Sequence, residues 1–196
     1  MRSEALAALE IDLFGKKVRP IRFWTAIWRI LWIERSHRGA VILIRLSQHW
    51  HARDRNGRAR RRLMRLRRDF GCFVHCGASI GPGLNLPHPN GIVVGAGVRI
   101  GARCRIYQQV TLGARSGERA NGEYPTLGDD VVIYPGAKLI GAVTVGNGAV
   151  VGANAVVTKD VPAFHTAYGI PAVMVPIATD KPVRADARHE EARHDA

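Results

Sequence analysis

The sequence predicts a mainly β fold, a parallel β-helix of triangular cross-section built from hexapeptide repeats, behind an N-terminal α-helical segment. Three observations predict it. Aliphatic residues recur every six positions, small or β-branched residues recur four positions after them, and most of the 21 glycines fall between Gly71 and Gly169. A short fixed period outranks local propensity, because each repeat can bury its apolar side chain only against its neighbours.

The downstream series runs Leu127, Ile133, Leu139, Val145, Val151, Val157, with fifth positions Val131, Ala137, Val143, Ala149, Ala155 and Val161. The upstream series runs Val74, Ile80, Leu86. It resumes after a two-residue insertion near Ile92 as Val94, Ile100, Ile106, Leu112, and its fifth positions include Ala78, Leu84, Val98, Cys104 and Val110. Each hexapeptide makes one short strand and one turn, and three of them close a triangular coil with the aliphatics stacked inside. The fifth position also faces that narrow interior and must stay small. Glycine at the second position (Gly128, Gly146, Gly152) is expected to relieve a turn of unusual φ/ψ. Residues 74–175 hold between five and six such coils. The step from Leu112 to Leu127 breaks the period, and its Gly-, Arg- and Glu-rich residues read as an extruded loop. The repeat type makes the helix left-handed, against the usual right-handed crossover.

Residues 1–70 form a different unit. From Ile21 to Trp50, apolar residues at helical spacing (Ile21, Trp24, Ile27, Trp28, Leu31, Trp32) predict amphipathic helices, and the segment 53–68 continues as a basic helix into the first coil. No run of eighteen apolar residues occurs, so no membrane span is expected. Residues 71–175 are the β-helix, and residues 176–196 are a charged, apolar-poor tail expected to be disordered.

The net charge of +13 is local: nine of the sixteen residues from Arg53 to Arg68 are Arg, and no acid lies between Asp69 and Glu118. A nucleic-acid partner is therefore not expected. A solvated basic face is the plain reading. Peripheral contact with an anionic membrane through residues 20–68 is the alternative, because Trp24, Trp28 and Trp32 lie on a helical stripe. Three cysteines without a secretory signal fit the reducing cytoplasm rather than a disulfide framework. Cys72 and Cys76 flank His75, but no further ligand pair follows, so no metal is expected and the thiols read as small buried hydrophobes.

Chemistry concentrates in Leu86-Pro87-His88-Pro89-Asn90-Gly91 and Gln108-Gln109-Val110-Thr111-Leu112-Gly113. Further on come Pro125-Thr126-Leu127-Gly128-Asp129, then the run from Gly152 to Pro162, then Gly169-Ile170-Pro171-Ala172. Over residues 74–175 this order resembles the serine acetyltransferase branch of the hexapeptide acyltransferases. The resemblance implies a homotrimer with each site in the groove between two prisms. It implies acetyl-CoA as co-substrate and His88 as the base that deprotonates the acceptor hydroxyl, a task suited to a group titrating near neutrality. Gly113 and Ala153 match positions where the backbone meets the pantetheine arm, and Lys159 could meet the anionic end of coenzyme A.

Departures bear on the acceptor. Phe73 and Pro87 occupy the two positions matching acidic residues of the serine-specific enzymes, where an Asp pairs with the base. Glu123 and Tyr124 occupy those of an Arg-His pair that helps hold the serine carboxylate. Glu123 and Tyr124 are thus candidate acceptor-site residues, and the leading expectation is a sugar or polysaccharide precursor. Serine is the first alternative. A non-catalytic scaffold is another, and a metal-dependent hydratase of the γ-carbonic anhydrase kind is disfavoured by the spacing of His75, His88 and His165. The latter expectation leaves His75 and His165 as structural residues. The tautomer of His88 is left to a backbone carbonyl, Glu118, Glu123 or a neighbouring subunit.

Overall fold

The computed structural model describes residues 4–14, 24–25, 27–28, 37–115 and 123–177. Trp32, Glu118 and the tail residues 178–196, each carrying an expectation from the sequence, lie outside them.

Among the described residues, fourteen short strands wind into a prism. They are β1 (Phe73–Val74), β2 (Ser79–Ile80), β3 (Val93–Val94), β4 (Arg99–Ile100), β5 (Arg105–Ile106), β6 (Thr111–Gly113), β7 (Thr126–Leu127), β8 (Val132–Ile133), β9 (Lys138–Ile140), β10 (Thr144–Val145), β11 (Val150–Val151), β12 (Val156–Val157), β13 (His165–Tyr168) and β14 (Val173–Pro176). The first face is β1-β3-β6-β9-β12, the second β2-β4-β7-β10, and the third β5-β8-β11-β13-β14. All pairs are parallel except β13 with β14, a hairpin that ends the stack. Register follows the hexapeptide: Val74 lies opposite Val94, Val94 opposite Leu112, and Leu112 opposite Leu139.

The aliphatics fill the prism as the period requires. Leu112, Ile133, Leu139, Val145, Val151 and Val157 are wholly buried, as are the fifth-position Val98, Cys104, Val110, Val131, Ala137, Ala149 and Ala155. Ile80 in the first coil is only half-buried. Burial of this kind is worth about 25 cal/mol per Å² of apolar surface, and it repeats coil after coil.

The second-position glycines act differently from the expectation. Left-handed backbone falls instead at the fourth position, on Gly83, Arg103, Gln109, Asp130, Gly136, Gly148 and Asn154. At Gly101 and Gly146 the φ is ordinary, but a Cβ would run into the backbone of the next coil, at Gly128 and Ala163 respectively. Glycine there serves the close approach of stacked coils, not the turn.

Among the described residues, the helices α1 (Glu4–Phe14), α2 (His37–His51) and α3 (Asn56–Phe70) cover the open end of the prism. Helix α2 packs against both others, and Val41, Leu43, Ile44 and Leu66 join the β-helix core. An uncapped first coil would expose unpaired strand groups. Arg45 and Asp12 meet that need. The Arg45 guanidinium donates to the carbonyls of Ile80 (2.5 Å) and Gly81 (2.6 Å), while Asp12 accepts from the backbone N–H of Gly83 (2.6 Å) and Leu84 (3.1 Å). Gln48 adds a bond to the Ala78 carbonyl at 2.8 Å.

The basic helix expected across 53–68 is α3, which ends on Gly71 in the left-handed region. Its buried stripe is narrow (Ala59, Leu66), and most of its arginines face outward. Asp69 takes both Arg65 (3.0 Å) and Arg68 (2.8 Å). Arg58 lies over the Trp50 ring and Arg67 over the Phe73 ring. Among the described residues no helix is long and apolar enough to cross a membrane.

Candidate functional site at the prism edges

The turns of the prism form three edges, and the site residues read from the sequence divide between two of them. His88 follows Leu86 on the third face and precedes β3 on the first, so it stands at the third–first edge. The two-residue insertion seen in the sequence is the loop that carries it. That loop is held on both sides. The Cys72 thiol donates to the Pro89 carbonyl at 2.8 Å, and the Gln109 N–H donates to the Asn90 carbonyl, also at 2.8 Å. Asn90 N–H bonds back to the His88 carbonyl at 2.7 Å. Burial pushes the Cys72 thiol up to about 11, which keeps it a protonated donor.

The His88 imidazole is exposed. Its neighbour is Tyr107, with ring centroids 6.4 Å apart, and Tyr107 in turn stacks on Tyr134 at 5.4 Å and 5°. The stack follows from register: Ile106 pairs with Ile133, so the residues after them come face to face. No hydrogen bond to the His88 ring occurs among the described residues. Ala153 lies on this same edge, three coils beyond His88, or about 14 Å at the usual strand spacing.

Gly113, Lys159, Glu123 and Tyr124 lie on the first–second edge. Gly113 ends β6, Lys159 follows β12, and Glu123 and Tyr124 lead into β7. The backbone at Gly113 is not left-handed, and a Cβ there would meet only the tips of Thr111 and Ile140 at ordinary contact. Neither turn nor packing demands glycine at that point, which suits the close approach of a ligand. Lys159 is exposed and Glu123 half-buried. The Tyr124 ring lies flat against Gly95 and Gly97, where a Cβ on either would overlap it. One protomer therefore does not bring His88 together with Glu123 and Tyr124; the first face separates them.

Gln108 escaped the sequence reading as a site residue, although it stood in the quoted motif. Its amide oxygen is buried without a hydrogen-bond partner among the described residues, on the edge that carries His88 and Ala153. A buried acceptor of this kind fits an amide-bearing arm lying along the edge. His75 accepts from the Gly77 N–H (3.0 Å) and His165 bonds the Ala163 carbonyl (2.8 Å), so both serve turns. Among the described residues no group of three His, Cys, Asp or Glu could hold a metal ion.

Comparison with known proteins agrees with this fold. Residues 124–159 match the family described as bacterial transferase hexapeptide (six repeats). A soybean serine acetyltransferase solved with serine is 32% identical, with a TM-score of 0.73 over 88% of this chain and 70% of that one. The chain belongs to the serine acetyltransferase branch of the hexapeptide-repeat acyltransferases. A second member of that branch, a serine acetyltransferase solved in complex with CoA, is 29% identical with a TM-score of 0.71, over 87% of this chain and 69% of that one. The serine acetyltransferase of Bacillus subtilis is 40% identical over 121 residues, 62% of this chain and 55% of the relative. The chain thus spans about half the length of that curated family member.

Proposed function

We propose that this protein is an acetyl-CoA-dependent O-acetyltransferase in which His88 is the base. The observation that carries the reading is an exposed imidazole on a loop tethered by Cys72 and Gln109, at the head of an edge that offers Gln108 and Ala153 to an extended ligand. His88 takes the proton of the acceptor hydroxyl as its oxygen attacks the thioester carbonyl. Backbone N–H groups at a glycine turn would stabilise the resulting oxyanion, and the coenzyme A thiol leaves.

The two-edge division supports a homotrimer. A groove between two prisms joins the third–first edge of one copy to the first–second edge of the next. That brings Gly113, Lys159, Glu123 and Tyr124 of one subunit toward His88 of another. It also offers the His88 ring a hydrogen-bond partner from the neighbouring subunit.

The relatives' names support serine as acceptor better than the sugar favoured by the sequence alone. The sugar reading keeps one specific support: Phe73, Pro87, Glu123 and Tyr124 replace the residues expected to engage serine. Thiol release from acetyl-CoA with serine, or with nucleotide- or lipid-linked sugars, tests both. His88→Ala should lower either turnover by roughly a hundredfold or more; an unchanged rate removes His88 from its role. The outward arginines of α3 and the exposed Trp24 and Trp28 support a subsidiary contact with anionic membrane. Flotation with anionic vesicles, with and without residues 1–68, tests it.

A further inference from the structure

Arg67 differs from its neighbours on α3. Arg65 and Arg68 are both taken by Asp69, whereas Arg58 and Arg67 each lie over an aromatic ring. Arg67 sits one turn before the end of the helix with its guanidinium carbon 4.9 Å from the centre of the Phe73 ring. It is exposed and makes no side-chain hydrogen bond among the described residues, so its planar fork of N–H donors is uncommitted. The ring that holds it is itself half-exposed (49%) on the first face.

That position is tied by hydrogen bonds to the loop that carries the proposed base. Phe73 follows Cys72, whose thiol is bonded to Pro89, the residue after His88. The Phe73 N–H donates to the Ile92 carbonyl at 2.8 Å, at the other end of the His88 loop. Helix α3, Phe73 and the His88 loop are thus fixed to one another, and the aromatic ring orients a cation that would otherwise wander. The sequence carries no acid from residue 70 to 117, the stretch that forms the coils next to it.

We propose that Arg67 is the acceptor-binding cation of this site, and that the acceptor bears an anionic group, a carboxylate or a phosphate, near the hydroxyl that receives the acetyl group. This rests on the acetyl-transfer reading with His88 as base. A guanidinium held over an aromatic ring can present two parallel N–H groups to an oxyanion, and such charge-assisted bidentate pairs are strong and directional. Where an acidic residue is expected from the resemblance, Phe73 and Arg67 reverse the sign of the charge.

Three acceptor pairs that differ only in the anion provide the test: serine against serinamide, glucuronate against glucose, and N-acetylglucosamine 1-phosphate against N-acetylglucosamine. For the pair that is turned over, the anionic member should have at least a tenfold higher kcat/KM. Arg67→Gln should abolish that preference while leaving the KM for acetyl-CoA unchanged. A preference that survives Arg67→Gln, or none in the parent protein, overturns the proposal. The carboxylate and phosphate arms identify which anion is meant. Independently of turnover, titration with inorganic phosphate should shift the His88 imidazole NMR signals saturably, and Arg67→Gln should remove the shift. Absence of a saturable shift in the parent also overturns it. Full activity of His88→Ala alongside loss of anion preference in Arg67→Gln would sink the base assignment and leave the anion site standing.

Discussion

Asp12 and Arg45 form an ion pair at 2.8 Å in which both side chains are 1% exposed. Between them they satisfy two carbonyls and two N–H groups of the first coil. Removing one partner leaves a buried charge and several backbone groups without partners. Asp12→Ala should therefore lose about 3–5 kcal/mol of unfolding free energy, measured by urea denaturation. A loss below about 1 kcal/mol would mean that the first coil does not depend on this pair.

Glycine roles can be separated by a pair of substitutions. Gly101→Ala places a methyl group inside contact of the Gly128 carbonyl and should cost ~1–3 kcal/mol through overpacking. Gln109→Gly, at a left-handed residue (φ 60°), should change stability by less than about 1 kcal/mol, because relief of the αL penalty offsets glycine's entropy. Equal costs at the two sites would refute the distinction between close approach and turn conformation.

Tyr124 separates packing from acceptor binding. Tyr124→Ala empties the space over Gly95 and Gly97 and should destabilise by about 3 kcal/mol. Tyr124→Phe keeps the ring, so the thermal midpoint should hold. A rise in acceptor KM in Tyr124→Phe alone would assign the hydroxyl to the acceptor; an unchanged KM assigns Tyr124 to packing.

Thiol reactivity should follow burial. Cys72 and Cys104 are buried, and desolvation raises each thiol to about 11. A raised thiol pKa means almost no thiolate at pH 8, so alkylation is slow until pH approaches that value or the fold opens. Cys76 is partly exposed. Iodoacetamide at pH 8 followed by mass spectrometry should label Cys76 first, with Cys72 and Cys104 labelled only in denaturant. Early labelling of Cys72 would contradict its buried bond to Pro89.

The prism was legible because its signal is redundant: a slip at one of Leu127, Ile133 or Leu139 would have left the others to carry the period. The position of His88 was legible too, since a frame shift in so regular a series marks a loop. The cap was not. Asp12 and Arg45 lie thirty-three residues apart, and no local pattern links an acid of one helix to a base of another. Nor was the true role of the second-position glycines visible, because spacing along the chain says nothing of the distance between coils. The aromatic column from His88 through Tyr107 to Tyr134 was present in the sequence, but only the coil register reveals it.

The interruption between β6 and β7 leaves the stack undisturbed. Leu112 still pairs with Leu139, and Ile100 with Leu127, as though the residues between Gly113 and Pro125 were absent. Closing a longer loop adds only about 0.6 kcal/mol per doubling of its length. The part of that stretch before Tyr124 can therefore change in length and in charge at little cost to the coils on either side. An insertion there lengthens the edge without touching the skeleton.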